Sequence, residues 1–197
     1  HWDIAKKLIN AGADVQQWDI FGQAPLIAIV TRHSNTRVNP GDPLNETSGT
    51  TILELLLERG ANVNMQVFLR PSKQRGGSMS RGTTPLIAAA DSGDTAVIKL
   101  LLDHGADATI TQADLQNPLT AIAGARGDPQ TLVEGVNVLI EAGADMNIRS
   151  VPHHLQRNRG GRPLHFAVRA GNEKVIEALV NAGAEINATD IDGLTPL

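Results

Sequence analysis

Two stretches of this 197-residue chain gather positive charge with no acid among them. Gln66 to Arg81 contains Arg70, Lys73, Arg75 and Arg81, and Arg149 to Arg162 contains Arg149, Arg157, Arg159 and Arg162. Together they hold eight of the 17 Lys and Arg residues, so a chain of net charge −4 carries −12 outside them. Basic segments on an acidic body create a local field that attracts carboxylates or phosphates. Aromatic residues add a second kind of chemistry. Trp18, Phe21 and Phe68 lie in connecting segments, and Trp18 and Phe21 flank Asp19-Ile20. Aromatic side chains of this type are favoured anchors at protein interfaces, and each could equally pack on its neighbour.

Other chemistries find little footing. His153-His154, with His165 nearby in sequence, is the only histidine cluster, and adjacent histidines in a loop point in different directions. No cysteine exists in the chain and no acidic ligand lies in that stretch, so a metal site is not expected. Gly76-Gly77 and Gly160-Gly161 lack the lysine and the strand–loop–helix setting of a phosphate loop. No nucleophile–base arrangement can be drawn from order alone. The expectation is a chain with no catalytic residue, no metal and no cofactor. No apolar run approaches the roughly 20 residues that would span a bilayer, and the compartment is left open. Asn45-Glu46-Thr47 and Asn187-Ala188-Thr189 match the glycosylation tripeptide, a pattern that often arises by chance.

The elements that position these residues announce themselves by repetition. Pro-Leu recurs at Pro25-Leu26, Pro85-Leu86, Pro118-Leu119, Pro163-Leu164 and Pro196-Leu197. Gly-Ala recurs at Gly12-Ala13, Gly60-Ala61, Gly105-Ala106, Gly143-Ala144 and Gly183-Ala184, alternating with the first anchor. Proline fits the first position of a helix, and a preceding Thr or Asn can cap it. Glycine suits the left-handed residue that closes one. Between Pro85 and Gly105, Leu86-Ile87-Ala88-Ala89-Ala90 forms a first helix and Ser92-Gly93-Asp94 a turn. Val97, Ile98, Leu101 and Leu102 then draw the apolar stripe of a second helix. Neither helix is long enough to stand alone, so stacked copies must bury one another's stripes.

This alternation resembles the ankyrin repeat, with its 33-residue period and its Thr-Pro-Leu-His-x-Ala signature. The best copies are Thr84–Thr111 and Arg162–Ala188, the latter containing Pro163-Leu164-His165-Phe166-Ala167. The resemblance implies an all-α solenoid of stacked helix–turn–helix units joined by β-hairpin fingers, truncated at both ends. It also implies that fingers and first helices form the recognition surface and that His165 is a structural residue bonded to backbone. Phe166, beside it in a first helix, reads more as a packing residue than as a contact.

Spacing divides the chain. Pro85 to Gly105 and Pro163 to Gly183 span 20 positions, and Gly12 to Pro25, Gly105 to Pro118 and Gly183 to Pro196 span 13. Against these, Pro25 to Gly60 is 15 longer, which predicts a surface loop over Thr31 to Gly49. Pro118 to Gly143 is 5 longer, which predicts a second helix about one turn longer from Pro129. Gly60 to Pro85 and Gly143 to Pro163 are 12 and 7 longer, extending two fingers. One domain results: a partial repeat over 1–19, repeats over 20–81, 82–111, 112–160 and 161–188, and a partial repeat over 189–197. Both ends lack a polar capping repeat, so further repeats or flanking domains are expected beyond them.

The function expected is that of an interaction scaffold for a protein partner carrying an acidic patch. Trp18, Phe21, Phe68, Arg70, Lys73, Arg75, Arg81, Arg149, His153, His154, Arg157, Arg159 and Arg162 are its candidate contacts. A regulatory or substrate-recruiting arm of a larger enzyme is the alternative, and polyanion binding through the basic fingers a third. The acidic body opposes wrapping by nucleic acid, which ranks that reading last.

Overall fold

A computed structural model describes residues 2–19, 22–35, 47–68, 81–151 and 160–197 of the chain. Among them run nine helices: α1 (Trp2–Asn10), α2 (Pro25–Asn35), α3 (Thr47–Glu58), α4 (Pro85–Ser92), α5 (Thr95–Asp103), α6 (Pro118–Ala123), α7 (Pro129–Glu141), α8 (Pro163–Ala170) and α9 (Glu173–Asn181). Both recurring anchors act through local hydrogen bonds. Thr84 Oγ1 accepts the Ile87 N–H at 3.2 Å and Asn117 Oδ1 accepts that of Thr120 at 2.8 Å, each just before a helix-opening proline. Asp94, Asp128 and Asn172 cap α5, α7 and α9 in the same way. At the other ends, Gly105 takes φ +84° and donates its N–H to Leu102, while Ala106 donates to Leu101. This is the bond pair of a Schellman motif, in which only glycine adopts the left-handed residue without strain. It recurs at Gly12, Gly60, Gly143 and Gly183, and the alanine that follows tucks its methyl inward at Ala61, Ala144 and Ala184. Gly-Ala is therefore the helix stop and the first core contact beyond it.

Stacking completes what these short helices cannot do alone. The first helices α2, α4, α6 and α8 pack in sequence, each on the next, and the second helices pack as α1 on α3, α5 on α7 and α7 on α9. Leu26, Ile98, Leu101, Leu119, Ile122, Leu139 and Leu179 are wholly buried between them. Gly135 lets α7 come close: a Cβ there would collide with Ile122 and lie 2.7 Å from Thr95 Oγ1, which itself donates to the Thr131 carbonyl. As the spacing predicted, α7 is longer than its counterparts, with 13 residues against 9 in α5 and α9.

Side-chain amides tie consecutive repeats together. Asn64 donates to the Gly105 carbonyl at 3.1 Å and accepts the Asp107 N–H at 2.8 Å. Gln16 does the same for Gly60 and Asn62 one repeat earlier. Asn147 accepts the Glu185 N–H two repeats later. Thr109 stands at the corresponding position between them and bonds only within its own turn, to Asp107. There the link is Asn117 Nδ2, which reaches the Asp145 carbonyl at 2.9 Å.

Two expectations need correction. The loop read over Thr31 to Gly49 fails at both ends, where α2 continues to Asn35 and α3 begins at Thr47; positions 36–46 lie outside the described residues. Nothing between Thr31 and Asn35 breaks a helix, since the prolines and Gly41 come later. Thr31 Oγ1 settles into the helix by donating back to the Ile27 and Ala28 carbonyls. The fingers, expected as β-hairpins, contain no β-strand among the described residues. Where the fingers are described they are turns crossed by a few backbone bonds.

Candidate interaction surface

The fingers sit where the helix pairs hand the chain from one repeat to the next. Three of them share one turn. Asp19, Gln112 and Asp190 each accept, at their carbonyl, an N–H from three residues on, namely Gly22, Leu115 and Gly193. The N–H groups of Asp19, Gln112 and Asp190 in turn donate to the carbonyls of Gln23, Gln116 and Leu194 at 2.9, 3.0 and 2.9 Å. In the second finger the Val67 N–H bonds Thr83 and the Gly82 N–H returns to Val67. Between fingers, the Ala113 N–H donates to Arg81 and the Val151 N–H to Asp114, each at 2.8 Å. These bonds hold the second, third and fourth fingers side by side.

Tertiary structure joins two of the candidate aromatics. Trp18 on the first finger and Phe68 on the second meet edge to face, with ring centroids 5.4 Å apart and planes at 75°. They pack on each other and still leave 52% and 55% of their surfaces exposed. Arg81 and Arg149 are exposed, as a charge that meets a partner must be. Arg162 behaves differently. Its Nη1 bonds the Asn147 carbonyl at 3.0 Å and the Glu185 carboxylate at 2.9 Å, and its Nε is buried without a hydrogen-bond partner. Standing directly before Pro163, it is engaged at the repeat junction and keeps 24% of its side chain exposed. Phe21, Arg70, Lys73, Arg75, His153, His154, Arg157 and Arg159 lie outside the described residues.

His165 is buried, with Nδ1 accepting the Arg162 N–H at 3.2 Å and Nε2 3.2 Å from the Leu194 carbonyl. A ring carrying its proton on Nε2 satisfies both bonds, so the side chain links the start of α8 to the next finger. Phe166, on the same helix, packs beside Gly124 and lies 5.5 Å beneath the Arg169 guanidinium. Both residues stiffen the scaffold.

Asp91, near the end of α4, still reaches solvent, but the atoms packed around its carboxylate withdraw enough water to raise its pKa above the ordinary 3.8. The native state therefore binds this proton more tightly than the unfolded chain does. The penalty is full at neutral pH and is relieved as pH falls through the raised value, vanishing below about 3.8. Asp91→Asn should accordingly raise the urea midpoint at pH 7 and give no advantage at pH near 3, which paired denaturation curves would check. Asp107 and Asp128 have the opposite sign. The Thr109 hydroxyl and N–H hold Asp107 below 3.8, and the Thr131 N–H and hydroxyl do so for Asp128. Their contribution is present above 3.8 and lost as pH falls through the lowered values.

One fingertip departs from its counterparts, and aligning the repeats on their glycines would have revealed it. Leu115 occupies the slot of Gly22 and Gly193 with φ +59°, against +71° and +78° for the two glycines. A non-glycine residue there costs roughly 1–2 kcal/mol. Leu115 and its cross-finger neighbour Val151 expose 43% and 42% of their surfaces. Beneath them Asp114 is 2% exposed, with Oδ1 accepting the Gln116 N–H at 3.3 Å and Oδ2 lacking a hydrogen-bond partner.

Stacked helix pairs presenting a row of fingertips define a repeat-built binding scaffold. Comparison with known families agrees: "Ankyrin repeats (3 copies)" matches residues 45–150 and "Ankyrin repeat" matches 159–191. The chain belongs to the ankyrin-repeat family, whose members generally serve as protein-interaction modules. It is similar to the "Ankyrin repeat, SAM and basic leucine zipper domain-containing protein 1" of Dasypus novemcinctus, at 30% identity over 71% of this chain and 25% of that protein. The protein of the same name from Echinops telfairi is 31% identical over 66% of this chain and 23% of its own length. The chain thus spans about a quarter of the curated relatives it matches, whose names describe repeats and further domains rather than enzymes. No helix among the described residues is long and apolar enough to cross a membrane.

Proposed function

We propose that this chain binds a protein partner along its fingers, with aromatic anchors at one end of the row and a basic rim along it. The exposed Trp18–Phe68 pair carries this reading. Two large rings held edge to face are already ordered, so a partner that covers them loses little additional side-chain freedom. The rim comprises Arg70, Lys73, Arg75, Arg81, Arg149, Arg157 and Arg159, and it selects a partner surface rich in carboxylates. In a longer protein resembling those relatives, the repeats would be the recruiting arm.

The test is kinetic. With a partner recovered by pull-down on the full-length protein, changing the seven rim residues to glutamine should lower the association rate and flatten its dependence on salt. Charges of this kind steer encounter over roughly 8 Å at physiological ionic strength. An unchanged rate and an unchanged salt slope would leave these segments as solvated loops. Tight binding of a random-sequence duplex, with a slope of roughly 0.9 per phosphate engaged, would instead favour the polyanion reading.

A further inference from the structure

The third finger bears a side chain where its turn calls for none. Fingers one and five make the same turn with Gly22 and Gly193, and the third makes it with Leu115 at φ +59°. Strain of this sort persists where the surrounding structure enforces it, and it clusters at sites of function. Here it holds an apolar side chain in solvent, 43% exposed. Val151, 42% exposed, stands beside it, because its N–H is bonded to the carbonyl of Asp114, the residue before Leu115. Burial does not account for either side chain.

The flanks say what would cover them. Arg81 is tied to this finger by the Ala113 N–H on one side, and Arg149 lies two residues before Val151 on the other. Both arginines are exposed, whereas the carboxylate of Asp114, the residue before Leu115, is 2% exposed. A visitor therefore meets an apolar spot between two positive charges. We propose that the third fingertip is the docking point for an extended peptide segment in which an apolar side chain is flanked by carboxylates. The apolar group packs on Leu115 and Val151, and the carboxylates meet Arg81 and Arg149. This deepens the finger-binding reading above and rests on it, adding a specific sequence character for the partner and a residue kept at the expense of stability.

The experiment separates binding from folding. The full chain is panned against a displayed library of random dodecapeptides, and enriched sequences are titrated against variants. Enrichment of an apolar residue flanked by Asp or Glu is expected. Leu115→Gly should weaken those peptides at least about tenfold, the loss expected of an anchoring contact. The same variant should raise the melting midpoint, because glycine relieves the turn. Leu115→Asn, which tolerates the left-handed region but offers no apolar surface, should also weaken them. Arg81→Gln and Arg149→Gln should each reduce affinity and its salt dependence. Equal binding to Leu115→Gly, enrichment without acids, or no enrichment would overturn the proposal. Peptides lost with Trp18→Ala but retained by Leu115→Gly would overturn it while leaving the finger-binding reading in place. Self-association abolished by Leu115→Gly would overturn it in favour of a second copy of this chain.

Discussion

Leu101→Ala should destabilise the protein by roughly 2–5 kcal/mol, the range for truncating a large aliphatic side chain in a core that collapses only in part. Leu101 is 0% exposed and lies on α5, between α4 of its own repeat and α7 of the next. Its carbonyl also receives the Schellman bond from Ala106, so backbone closure and side-chain packing converge on one residue. In a solenoid each repeat leans only on its neighbours. A cavity at this position loosens both the internal pairing of helices and one interface between repeats. Arg149→Ala, on an exposed finger, should change stability by less than about 0.5 kcal/mol. Urea denaturation followed by circular dichroism would separate the two. Equal midpoints would place the core on another face of α5.

Trp18→Ala should accelerate dissociation of the partner and weaken binding by about 2 kcal/mol or more, roughly thirtyfold. Half of the indole is exposed, and the remainder leans on Phe68. Removing it deletes an anchor and also releases the second ring from its ordered position. Association should change little, since neither ring carries charge. A double-mutant cycle with Phe68→Ala isolates the ring pair, whose contribution to stability should be about 0.5–1.5 kcal/mol. If that coupling is present while the dissociation rate stays constant, the rings brace two fingers together and the partner binds elsewhere.

Helix starts, helix stops and the burial of each stripe were legible in the sequence, because they rest on contacts within a turn or within a repeated unit. Thr84-Pro85 and Asn117-Pro118 cap their own helices, Gly105-Ala106 closes α5 on itself, and five extra positions after Pro118 become an extra turn of α7. The continuation of α2 to Asn35 was less visible, because surplus length between two anchors reads as loop throughout, although its breakers, Pro40, Gly41 and Pro43, come only later. The slot held by Leu115 could be found by aligning the repeats, but its exposure beside Val151 depends on a bond between fingers.

The candidate surface divides along the same physical line. The sequence by itself determined that this is a stack of ankyrin repeats with basic, aromatic-bearing fingers, since charge, residue type and period are properties of the chain. Only the tertiary structure decided which of the described residues stand exposed and which are tied into the scaffold. Trp18 meets Phe68 from 50 positions away, and Arg162 turns toward Asn147 and Glu185. Both outcomes depend on how one repeat sits on the next, a relation set by packing between segments distant in the chain and written in no local pattern of residues.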